Sequence, residues 1–189
     1  MKQEKGDYGY LTRYKKKRTV ITGLLVAGMA IIIGFGYWRY NTMKTIFTVV
    51  GILFSLPIAK ILSGLFVVLP LKSISEARKK ELEQSIFKVP SKQILWDLPL
   101  SSAEKVRYFP CVIFSDQTVL ILYEEEKKSE AKEAEKYFRN LLKNNCHRAG
   151  FLFITSEKQF LKKANEIDWT IKNQEEADRI KETILVYEM

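Results

Sequence analysis

Histidine occurs once in the 189 residues, at His147, and cysteine twice, at Cys111 and Cys146. The adjacent Cys146 and His147 cannot supply the three or four ligands of a zinc site, and no second such cluster exists. The cysteines also lack the spacing of a secreted disulfide framework, and both read as inert thiols. A glycine-rich phosphate loop, a Gly-x-Ser-x-Gly elbow and a Ser/His/Asp set are all missing. The sequence therefore offers no catalytic, cofactor-binding or metal residue, and it implies no cofactor.

Acidic side chains are missing from Tyr8 through Ser75. Within that stretch Thr19–Trp38 carries no charge, and Thr45–Leu71 carries one, Lys60. A bilayer core of roughly 30 Å takes about 20 apolar helical residues, so each run can span it. These runs exclude a purely soluble protein and a disordered tail. Six residues, 39–44, separate them, which is too few for an intervening domain and predicts a tight helical hairpin. The first run is too long for the core of a cleaved signal peptide, and its exit, Gly36-Tyr37-Trp38, is too bulky for a cleavage site.

The net charge of +9 invites a nucleic-acid reading, but its distribution does not support one. Residues 1–18 hold seven Lys/Arg against two acids, whereas residues 72–189 are nearly balanced, with 21 against 20. The excess is a topology signal, and no nucleic-acid partner is expected. Seven cations before the first run and five between Lys72 and Ser91 flank the pair, against two in the connecting loop. By the positive-inside rule both termini are cytoplasmic. The chain divides into a basic cytoplasmic tail at 1–18, a two-helix transmembrane hairpin (19–38 and 45–71) and a small cytoplasmic α/β domain at 72–189. Lys15, Lys16, Lys17 and Arg18 are placed to meet anionic lipid headgroups.

Gly51, Ser55, Ala59 and Ser63 recur every fourth residue, and Gly23, Ala27, Ala30 and Gly34 form a similar face on the first helix. Such faces let helices approach closely in lipid, either within the hairpin or between copies in a homo-oligomer. Lys60 costs about 2.5–3.5 kcal/mol if it sits at the bilayer centre. With Pro57 one turn before it, the lysine either snorkels to the cytoplasmic boundary or meets an acid or phosphate of another membrane component.

In the third segment, Ser73–Phe87 reads as a helix and Lys92–Asp97 as a short strand. Ser101-Ser102-Ala103-Glu104 has the spacing of a capping box. Arg107–Phe114 and Thr118–Tyr123 read as a β-hairpin, the second strand apolar enough to be covered on both faces. Ser129–Asn145 is a helix with Ala131, Ala134, Phe138, Leu141 and Leu142 on one stripe and a Glu135–Arg139 pair on the other. Gly150–Ile154 reads as a buried strand. Ser156 and Asn173 open two last helices, with Phe160, Leu161 and Ala164 and then Ala177, Ile180 and Ile184 facing inward.

This α-β-β-β-α-β order, with Glu125/Lys127 or Glu126/Lys128 after the third strand, resembles the restriction-endonuclease-like nuclease core. That resemblance would make Asp116 a second metal carboxylate. Over the whole chain, Gly9-Tyr10, Thr45–Val50, Leu56-Pro57, Ala59-Lys60 and Ser102–Lys105 resemble an uncharacterised family of two-span membrane proteins from Gram-positive anaerobic bacteria. Some of its members are labelled "O-linked GlcNAc transferase-like". The resemblance implies a two-span protein and no activity. The expected role is a membrane-anchored interaction or scaffold domain with lipids and a membrane or cytosolic protein as partners. The alternatives are a tethered enzyme and a transporter's accessory subunit.

Overall fold

A computed structural model describes residues 6–42, 44–101, 106–124, 128–145 and 149–187. The chain divides into two compact units, one formed by residues 12–70 and the other by 1–11 with 71–189.

The first unit is a pair of helices, α1 (Tyr10–Tyr40, whose first two residues belong to the other unit) and α2 (Ile46–Val68). Each is long and apolar enough to cross a membrane. Their 31 and 23 residues give lengths of roughly 46 and 34 Å at about 1.5 Å per residue. Helix α1 begins well before the apolar run, so the basic cluster is helical. Thr45 caps α2, its side chain accepting from the Thr48 amide. Pro57 lies inside α2, and Pro70 follows the helix rather than breaking it. Near the connecting loop the helices touch through glycines. A Cβ at Gly51 would stand 2.5 Å from Ile33, and one at Gly36 would stand 2.6 Å from Phe47. At the other end Lys15 Nζ donates to the Leu69 carbonyl at 3.0 Å.

The second unit is a four-stranded mixed sheet in the order β1 (Ile94–Ser101), β2 (Val106–Phe114), β3 (Thr118–Leu122), β4 (Gly150–Ile154). The first three strands are antiparallel, and β4 runs parallel to β3. Helices α3 (Glu76–Ser85), α4 (Lys128–Asn145), α5 (Glu157–Glu166) and α6 (Gln174–Val186) complete it. The sheet separates two apolar cores. Val119 and Ile121 face one, with Phe138, Leu142, Ile180 and Ile184 from α4 and α6; Leu120 and Leu122 face the other, with Leu82, Phe160 and Ala164 from α3 and α5. This is the two-sided burial that the continuous run of β3 predicts.

The β1–β2 ladder holds a switch that no alternating pattern reveals. Asp97 has a φ of 52° and stands opposite Pro110, which has no N–H to give, so the pair drops out of the ladder while the register continues. Before the switch Ile94 and Trp96 face the α3/α5 core; after it Leu98 and Leu100 face the α4/α6 core, where strict alternation would put them with Trp96. The partner strand turns in step, Phe109 facing one core and Cys111 the other. Aspartate tolerates the left-handed region better than most side chains, which makes the bend accessible here.

Several expectations change. Strand β1 runs four residues past Asp97, and Ser101 is its last residue rather than a helix cap, while residues 102–105 lie outside those described. Helix α3 is shorter than Ser73–Phe87 because Ser75 caps it, accepting from the Arg78 amide. Ser156 precedes α5 without a capping bond, whereas Asn173 accepts from the Glu176 amide and caps α6. Strand β4 is an outer strand, not a buried one, with Leu152 38% exposed.

Phe138 is fully buried, edge-on to Phe109 at 5.2 Å and stacked on Phe151 at 5.9 Å. Phe138→Ala should cost about 3–5 kcal/mol, read from denaturant unfolding of the whole chain by tryptophan fluorescence; a loss under about 1 kcal/mol would contradict this packing.

Candidate functional site

The residues singled out in the sequence separate into two groups in the helix pair. Gly51 packs against Ile33, but Ser55, Ala59 and Ser63 are exposed along α2. On α1, Gly23, Ala27, Ala30 and Gly34 are exposed as well. Of the two small-residue stripes only Gly51 meets the other helix, and near the loop it is joined by Gly36, which meets Phe47. Pro57 and Lys60 share the exposed part of α2, where Ser63 Oγ donates to the Lys60 carbonyl at 2.9 Å. Of the basic cluster, Lys15 is held on the C-terminal end of α2, where free carbonyls favour a cation. Arg18 lies over the Tyr14 ring at 5.0 Å, and Lys16 and Lys17 are exposed.

In the domain, Glu125, Glu126 and Lys127 lie outside the described residues, as do Cys146 and His147. Asp116 is buried in the β2–β3 turn, and its Oδ2 accepts from the Lys172 and Asn173 amides at 3.2 and 3.0 Å. Its carboxylate is engaged in fastening the approach to α6. Cys111 is fully buried, and burial pushes its thiol up, which leaves it a poor nucleophile. Among the described residues no three His, Cys, Asp or Glu side chains gather.

A cleft of about 800 Å³ opens at one end of the sheet. Ile94, Leu95, Phe114 and Trp169 form its apolar lining, and Lys92, Lys181, Asp7 and Asp178 add charges of both signs. Its wall is held in place by Gln93, whose Nε2 donates to the Trp169 carbonyl at 2.9 Å. The two lysines and two aspartates balance in charge.

A dense polar cluster, absent from the sequence's candidates, gathers around Asp97. The Asp97 carboxylate is fully buried at the β1 switch. Its Oδ2 accepts from the Gly9 amide at 3.0 Å and from Ser73 Oγ; its Oδ1 accepts from the Ile74 amide at 3.2 Å and from the Tyr108 hydroxyl. Burial first, and then the adjacent carboxylate, hold the Tyr108 phenol far above its ordinary range, so it stays a donor. Tyr8 donates to the Ile74 carbonyl at 3.1 Å, and Lys79 Nζ lies 5.3 Å from its ring. Arg78, one turn into α3, bridges Glu124 and Glu157, and these bonds raise its guanidinium further. A carboxylate taking donors from three segments was signalled only by a lone Asp in an otherwise apolar strand, Ile94-Leu-Trp-Asp-Leu98.

The two edges of the sheet differ. Along β1, Trp96 N donates to the Gly6 carbonyl at 2.8 Å, Ser101 N donates to the Tyr187 carbonyl at 3.0 Å, and Pro99 has no N–H. Along β4, Gly150-Phe-Leu-Phe-Ile154 carries no charge and no proline, and among the described residues nothing pairs with its outer side. Natural sheets usually blunt such an edge with charge, proline or a cover.

Lys60→Leu should leave membrane-fraction abundance and hairpin formation unchanged, measured by fractionation and protease protection; loss of the protein from membranes would show that the cation has a partner at that depth. No protein-family model, no curated protein and no solved structure matches the chain.

Proposed function

We propose that the chain is a membrane-anchored interaction domain. Its two apolar helices cross the membrane as a hairpin, both termini are cytoplasmic, and the α/β domain takes an extended segment of a protein partner along the outer edge of β4. The membrane reading is supported by helix length and composition, and the orientation by twelve Lys/Arg in the outer flanks against two in the loop. Anionic lipid is the expected partner of Lys16, Lys17 and Arg18, and the exposed small faces favour self-association over packing within the hairpin.

The observation that carries the reading is the outer edge of β4, with which nothing pairs among the described residues. A free strand edge gives a partner backbone hydrogen bonds, and the alternating side chains give it selectivity. Phe151 and Phe153 lean toward the α4/α6 core and Ile154 toward the other, so a docked strand would meet apolar surface on both faces. An enzyme is less well supported, because the large cleft at the end of the sheet has an apolar lining and balanced charges.

The test is crosslinking-assisted affinity purification from native membranes, comparing the natural chain with Leu152→Lys. A charge on the edge should abolish recovery of the partner while membrane abundance and unfolding midpoint stay unchanged. Equal recovery with both chains would remove β4 from the interaction.

A further inference from the structure

The covered edge of the sheet carries an inference of its own. Residues 6–11 run from the cleft wall to the first turn of α1, and they are fastened at separate points rather than along a ladder. Gly6 gives its carbonyl to Trp96 N, Tyr8 binds the Ile74 carbonyl, Gly9 gives its amide to Asp97, and Leu11 is buried. Gly6 and Gly9 have φ values of 83° and 79°, a conformation open to glycine at little cost, and they bend the segment onto the sheet. A segment held at isolated points, without regular pairing, belongs to the part of a fold that opens locally.

We propose that residues 6–11 are a releasable strap over the β1 edge, latched by Asp97, and that its release exposes a second strand edge at Trp96. The carboxylate divides the work between its two oxygens. Oδ1 serves the Ile74 amide and Tyr108, which stay with the domain, while Oδ2 serves the strap through Gly9 and the helix exit through Ser73. Replacing Asp97 by Asn can keep an oxygen at the first position only by setting an NH2 group at the second. The Ser73 hydroxyl can rotate to accept from it, but the Gly9 N–H then faces another donor. Set the other way, the amide gives Gly9 an uncharged oxygen and turns its NH2 on the Ile74 N–H, which keeps the Tyr108 oxygen at 3.2 Å; in either setting the strap's bond is lost or weakened. Gly6→Ala attacks the same strap from its other end, since a Cβ there would lie 2.7 Å from Leu95 Cδ2 in a backbone conformation alanine resists.

The experiment is hydrogen exchange of the full chain in lipid nanodiscs, resolved by mass spectrometry for residues 6–11, Trp96 and the central strands. In the natural chain the Trp96 amide should exchange on the order of a hundredfold faster than that of Val112, by local opening. Asp97→Asn and Gly6→Ala should each speed exchange at residues 6–11 and Trp96 at least about tenfold, with Val112 and Ile121 unchanged. Tyr108→Phe, which removes a donor from Oδ1 alone, should leave the strap as it is. Equal exchange rates at Trp96 and Val112 in the natural chain would overturn the proposal. So would an unmoved strap in both variants, or acceleration spread evenly through β2 and β3 in both.

Discussion

A chain that leaves a folded domain for a long apolar excursion and then returns must have its two ends joined, and here one buried carboxylate joins them. Asp97 accepts from Gly9 on the outgoing side and from Ser73 and Ile74 on the returning side. A fully buried carboxylate without a salt bridge is tolerable only when hydrogen bonds replace its lost hydration, and four donors do that. The same residue sits at the point where β1 and β2 change faces. The junction of the two segments and the bend of the sheet thus share one side chain.

The face switch determines how the small domain fills two cores. With Leu98, Leu100 and Phe109 turned toward α4 and α6, that side gains a large aromatic and aliphatic cluster, while Trp96 and Cys111 remain with α3 and α5. A sheet of four strands would otherwise have little apolar area to share between two helical layers. The consequence at the margins is asymmetric. The β1 edge is covered by the chain's own residues, whereas among the described residues nothing pairs with the outer side of β4, which carries an exposed leucine. This asymmetry favours docking at β4 in the proposed role.

Composition made the apolar helices legible, since the long charge-poor runs have few other solutions. Strand β3 and helix α4 were legible because burial on both faces and a clean helical stripe each leave a strong pattern. The failures have identifiable causes. Ser101 matched a capping box, yet pairing with Val106 in the β1–β2 ladder fixed it as strand. The small-residue stripes suited packing within the hairpin or between copies; in the pair Gly51 meets Ile33 and Gly36 meets Phe47, while the rest of both stripes is exposed, and spacing along one helix does not say which face its neighbour meets. Strand β4 looked buried because its residues are apolar, and composition cannot distinguish an inner strand from an uncovered outer one. Asp97 left almost no trace, because its partners come from residues 9, 73, 74 and 108, which only the fold brings together.

The central claim, an anchoring hairpin with the domain on the cytoplasmic side, is tested most directly by labelling single cysteines with a membrane-impermeant maleimide on intact cells, in a chain without its own cysteines. A cysteine at Asn41 should label from outside, and one at Lys72 only after the membrane is permeabilised. Labelling of both positions from outside, or of position 72 alone, would contradict the account.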